Sequence, residues 1–179
     1  MGKYLARDYQ QALPSFLDLE ASSLNPLESY PTEVAWSLPN GSIHSHLVYP
    51  EPDWEDWNPV AERLTGISRS LIESHGLAPA RVADALNRDL AGSAVYCDGG
   101  YYDQAWLSRL FKAANRSCRF TLLDISLLLP APLGATPHWP ETLQALAQRA
   151  REESGPAHRA DRDVAYLIRF YALVRAELD

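Results

Sequence analysis

Alternation of apolar and polar positions dominates the first fifty residues, and helical spacing dominates most of the remaining chain. An apolar run from Leu13 to Leu19 ends on charge. Glu33 to Leu38 alternates, with Val34 and Trp36 on one face, and Ser42 to Tyr49 alternates through Ile43, Leu47 and Tyr49. Pro39-Asn40-Gly41 between them is a turn signal, so the pair predicts a β-hairpin. With the first run it makes a three-strand antiparallel meander.

Pro50 to Pro59 is an acidic, Trp-rich loop. Val60, Leu64 and Ile67 then form a short helical stripe, followed by Leu71 and Ile72. Val82, Leu86 and Leu90 repeat every four residues, and Gly92 closes that helix. Ser93 to Cys97 reads as a short buried strand, Asp103 to Ala114 as a helix, and Phe120 to Asp124 as a fifth strand. A Pro-rich loop, Pro130 to Pro140, leads to a helix through Leu143, Leu146 and Ala150, which Gly155-Pro156 breaks. The last helix runs from about His158 to Leu178. The order βββ, helices, β, α, β, α, α predicts an α/β fold, one five-stranded mixed sheet with helices against both faces. No linker or repeat divides residues 1–179, so a single domain is expected.

Composition narrows the class. Of 179 residues, 46% are apolar and 22% charged, which excludes collagen-like and disordered chains. The longest apolar stretch, Phe120 to Leu129, is broken by Asp124 and Ser126, too short for a membrane span. The first residues carry Asp8 and a Gln pair where a signal peptide needs an apolar run, so a soluble cytoplasmic protein is expected. Cys97 and Cys118 alone make neither a disulfide framework nor a zinc site. A net charge of −7 argues against gripping long duplex nucleic acid by phosphate neutralisation, but leaves room for contact with a few nucleotides through metal ions.

Three places could carry chemistry. Asp18 and Glu20 in FLDLEASSL lie two apart on a strand and so share a face. Such a pair suits a hard divalent cation, although Asp-x-Glu is common and, taken alone, reads more readily as a solvated strand end. Asp103 in CDGGYYDQAWL opens a helix after a buried strand, where taken alone it reads as an N-terminal capping aspartate; Asp98 beside it reads as a turn residue. His158 and Asp163 in HRADRDVAYL open the last helix and can flank one pocket if His158 lies on the loop before it; capping plus a surface histidine is the plain alternative. His44 and His46 alternate on the third strand and read as an exposed edge face, while Trp54 and Trp57 among acids read as packing or partner contacts.

Taken together, these segments resemble the DEDDh family of 3′-to-5′ exonucleases, relatives of the proofreading exonucleases with an RNase H-like fold. The resemblance runs from about Phe16 to Tyr171. FLDLEASSL is similar to the first motif, YPTEVAW to the second-strand segment with its glutamate at Glu33, CDGGYYDQAWL to the second motif and HRADRDVAYL to the third. The stretch Leu64, Thr65, Gly66, Ile67 and Ser68 resembles one that lies against the terminal nucleotide in the family. The five-residue step from His158 to Asp163 is that of the histidine branch. The chain departs from the family at Ala21 and Ser23, where a threonine and a glycine are usual, and at Gly99, often an asparagine.

The resemblance implies hydrolysis of phosphodiesters at a 3′ end of DNA or RNA, releasing nucleoside 5′-monophosphates. It implies two Mg²⁺ or Mn²⁺ ions, held by Asp18, Glu20, Asp103 and Asp163, with Asp18 shared and His158 as general base. Glu33, Leu64, Thr65, Gly66 and Ile67 would face the substrate, a short single-stranded 3′ end. Monomer or homodimer stays open. So do a module of this fold that binds nucleic acid or a protein partner without cutting, and a glycosidase working through two acids.

Overall fold

A computed structural model describes residues 12–129 and 139–178. The strands are β1 (Ser15–Ala21), β2 (Pro31–Ser37), β3 (Ile43–Leu47), β4 (Ala94–Cys97) and β5 (Thr121–Asp124). The helices are α1 (Pro59–Thr65), α2 (Arg69–His75), α3 (Pro79–Leu90), α4 (Tyr101–Ala113), α5 (Trp139–Ser154) and α6 (Ala160–Leu178). The strands form one mixed sheet in the order β3-β2-β1-β4-β5, antiparallel across β3-β2-β1 and parallel across β1-β4-β5. Among the described residues no helix is long and apolar enough to cross a membrane.

Both sheet faces are covered, and the central strand buries apolar side chains on each. Leu17 and Leu19 of β1 pack with Val34 and Trp36 against α3 and α4. Phe16 and Ala35 face the other way, against Val164 and Leu167 of α6. Phe16 and Leu17 are fully buried, each a contribution of about 1.5–3 kcal/mol.

The predicted hairpin forms as read: Leu38 N–H donates to the Ser42 carbonyl at 2.9 Å, and Gly41 takes a φ of 82° that suits glycine. Strand β1 starts later than the apolar run suggests, because Leu13 N–H bonds the Pro39 carbonyl outside the ladder. The stripe Val60-Leu64-Ile67 is not an inner helix face. Val60 and Leu64 are 51% and 57% exposed, and the helix ends at Gly66, whose left-handed φ of 69° carries Ile67 inward beyond it. Ser154 ends α5, where the Gly155-Pro156 break was expected. Helix α6 starts at Ala160, so His158 lies before it rather than within it. Residues 130–138 of the Pro-rich loop lie outside the described residues, and Trp139 and Pro140 open α5.

Candidate metal centre

The site grows from the pleat of β1. Phe16, Asp18 and Glu20 alternate onto the face that packs α6, while Leu17 and Leu19 take the opposite core. Across the ladder Asp18 lies opposite Ala35, a small residue, and Glu20 opposite Glu33. Strand β4 runs parallel to β1 with Phe16 beside Tyr96, so Asp98, just past its end, comes level with Asp18. The chain then turns through Gly99-Gly100 into α4, which begins with Tyr101 and carries Asp103 in its first turn. Helix α6 adds Asp163. Four elements thus converge at the carboxyl ends of β1 and β4, next to the change from antiparallel to parallel pairing.

Two groups of carboxylates form there. Asp18, Glu20 and Asp163 offer oxygens within 4.8 Å of one another, and so do Asp18, Asp98 and Asp103. Asp18 belongs to both. Burial, then the charges of Asp103, Glu20, Asp163 and Asp98, hold its carboxyl well above the usual range. Glu20 is pushed up to about 8, mainly by burial and then by Asp163 and Glu33, with Arg159 opposing. Burial raises Asp103 to about 7, although hydrogen bonds from Cys97 and Gly99 lower it. Asp98 is raised by burial and by Asp163. A cluster of this kind binds protons or cations to relieve its repulsion. Its all-oxygen donor set fits hard divalent ions such as Mg²⁺ or Mn²⁺.

Local contacts fix each acid. Asp103 is 1% exposed and accepts the Gly99 N–H at 3.1 Å. A Cβ at residue 99 would sit 2.5 Å from Asp103 Oδ2, so a glycine there lets the carboxylate fold back onto the turn. Asp163 Oδ2 accepts the backbone N–H groups of His158 at 2.8 Å and Arg159 at 3.2 Å. Asp163 Oδ1 pairs with Arg151 Nη1 at 2.6 Å, and the Arg151 guanidinium lies 3.9 Å over the Tyr166 ring. His158 itself is exposed, on the loop directly before α6, with a left-handed φ of 67°.

Of the residues read from sequence, Asp18, Glu20, Asp103 and Asp163 meet in space, with His158 joined to them through its backbone. Asp98 read as a turn residue, yet it completes the second group; its signal was its step of five before Asp103, which nothing in one sequence separates from turn chemistry. Arg151 and Tyr166 carried no sequence signal. Leu64 is exposed, whereas Thr65 and Ile67 are buried, with Thr65 Oγ1 bonding the Ala61 carbonyl and the Ile67 N–H. Helix α1 does lie beside the end of β1, since Asn58 N–H donates to the Ser22 carbonyl at 3.0 Å. Glu33 is 2% exposed and engaged by Arg159 rather than facing open surface. Trp54 stacks on Tyr30 at 4.9 Å and Trp57 donates to Glu62, both packing roles; His44 stacks on Trp36 at 5.6 Å.

The five-stranded mixed sheet with helices on both faces is an α/β fold of the RNase H-like kind. No protein-family model and no curated protein matches the chain. Among solved structures it is similar to E. coli exonuclease I in a zinc-bound complex with single-stranded DNA, with a TM-score of 0.67 and 20% identity over 94% of this chain. It is also similar to exonuclease I of Methylocaldum szegediense, with a TM-score of 0.65 and 19% identity over 90% of this chain. The E. coli enzyme with a dA16 oligonucleotide gives 0.67 and 17% over 92%. The chain spans 41% of the first of these proteins and 40% of the second.

Proposed function

We propose that this chain is a metal-dependent 3′-5′ exonuclease of the histidine branch, acting on single-stranded ends. The observation that carries this reading is that two carboxylate groups share Asp18. Asp18, Glu20 and Asp163 would hold one ion, and Asp18, Asp98 and Asp103 the other. Divalent ions bound there supply Lewis-acid charge for the attacking and leaving oxygens of an in-line displacement. The chain's own residues do the rest. His158, exposed beside Asp163, takes a proton from the attacking water. The water oxygen bonds to phosphorus, the O3′ of the preceding nucleotide leaves, and a nucleoside 5′-monophosphate is released. Arg151 holds Asp163 in place from the side away from its backbone partners.

The surface beside the acids suits a single strand. Tyr101 is 68% exposed and Tyr102 38%, immediately before Asp103, and they contact each other edge to face at 5.9 Å. Exposed rings give bases a stacking surface that needs no net positive charge, in keeping with a chain of net charge −7. The test is digestion of a linear single-stranded oligonucleotide, labelled at either end, with Mg²⁺ or Mn²⁺ and with chelator. Stepwise loss from a free 3′ hydroxyl, giving 5′-monophosphates, is expected, with no activity in chelator and none on a 3′-blocked strand. Rapid cutting of circular single strands, or no cutting at all, refutes it.

A further inference from the structure

We infer that Glu33 and Arg159 form a clamp that positions His158, so that Glu33 is a positioning residue rather than a substrate contact. This rests on the exonuclease reading above. An ionised carboxylate has about four acceptor sites. At Glu33 each is taken: Oε1 accepts from Arg159 Nη2 at 2.8 Å and Ser45 Oγ at 3.1 Å, and Oε2 from Arg159 Nε at 3.0 Å and Ala160 N–H at 3.0 Å. The side chain is 2% exposed. Nothing is left on it for a nucleotide to bond.

What it holds is the segment that carries the proposed base. The N–H groups of the first residues of a helix have no partner within it. Here Asp163 Oδ2 accepts from residues 158 and 159, and Glu33 accepts from residue 160 and from the Arg159 side chain. Two carboxylates from different elements thus tie down three consecutive residues. Between them His158 adopts a left-handed backbone, a conformation that a residue with a Cβ keeps only where its neighbours impose it. The fork-on-carboxylate geometry of Arg159 on Glu33 adds direction that a point charge lacks. Because Glu33 is the ladder partner of Glu20, one strand sets both the place of a metal-binding acid and that of the histidine loop.

A double-mutant cycle tests this: wild type, Glu33→Gln, His158→Ala and the double variant, in single-turnover digestion of a 3′-labelled oligonucleotide with Mn²⁺. Misplacing a catalytic group by about 1 Å can lower a rate by the order of 10²-fold. Glu33→Gln is expected to lower the turnover rate by roughly 10–100-fold with KM and Mn²⁺ affinity changed less than about twofold. The double variant should be no slower than His158→Ala alone, because the clamp acts on turnover through that residue. Arg159→Lys, which keeps the charge and loses the fork, should show the same pattern and serves if Glu33→Gln fails to fold. Additive losses, a rise in KM alone, or a lower melting temperature with turnover intact overturns the clamp while leaving the exonuclease reading standing. An inactive wild type, or His158→Ala at full rate, instead overturns that reading and the clamp with it.

Discussion

Raising the pH of the chelator-treated protein should destabilise it, because its carboxylates are crowded. Oxygens within 4.8 Å of one another repel, when charged, by about 3.5 kcal/mol per pair at an effective dielectric near 20. The folded chain therefore keeps protons that the unfolded chain releases. Glu20 is raised from 4.5 to about 8 and Asp103 from 3.8 to about 7, with Asp18 raised as well. A carboxyl raised on folding binds more protons in the folded state, so stability falls as pH rises from about 4.5 to about 8. Each extra proton contributes about 1.4 kcal/mol per pH unit. One to two protons shared by the cluster over two units give about 3–6 kcal/mol, which for a chain of this size is on the order of 10–20 °C in melting temperature. The assay is thermal melting at pH 5.5 and 7.5 in EDTA, with and without excess Mg²⁺, for wild type and Asp18→Asn. The wild type should melt lower at pH 7.5, Mg²⁺ should recover most of the loss, and Asp18→Asn should flatten the pH dependence. A wild-type melting temperature that is level across this range, or an Asp18→Asn variant with the same slope, refutes the reasoning.

Two further substitutions probe the second carboxylate group. Asp98→Asn should weaken one of two Mn²⁺ binding events in calorimetry by about tenfold and leave the other unchanged, since Asp98 belongs to one group only. Gly99→Ala places a Cβ against Asp103, so it should lower Mn²⁺ affinity at that same event and slow turnover by roughly 10–100-fold. Unchanged binding in Gly99→Ala contradicts the role given to that turn.

Most of the architecture was legible because its signals are local. The alternating runs, the Pro-Asn-Gly turn and the spacing of Val82, Leu86 and Leu90 each act over fewer than ten residues, and the hairpin and α3 formed where they point. The α1 stripe failed for the same reason. Its spacing is helical, but a glycine in the left-handed region ends the helix before Ile67, and what Val60 and Leu64 face is decided by distant packing. At the site, the resemblance supplied the four acids and His158. Asp98 joined them only through the parallel pairing of β1 and β4, and Arg151 through the packing of α5 on α6. Glu33 showed the limit most clearly. A glutamate on a strand gives no sign of whether it faces a nucleotide or, 126 residues away in sequence, an arginine.

The account rests on Asp18 serving two ions. The most direct measurement is anomalous diffraction at the manganese edge from crystals grown with Mn²⁺ and a nucleoside 5′-monophosphate. Two peaks are predicted about 3.5–4 Å apart. Both should touch Asp18, one shared with Glu20 and Asp163 and the other with Asp98 and Asp103, with the phosphate of the nucleotide bridging them. An absence of peaks at these carboxylates with Mn²⁺ in excess, or a nucleotide bound elsewhere on the sheet, contradicts it.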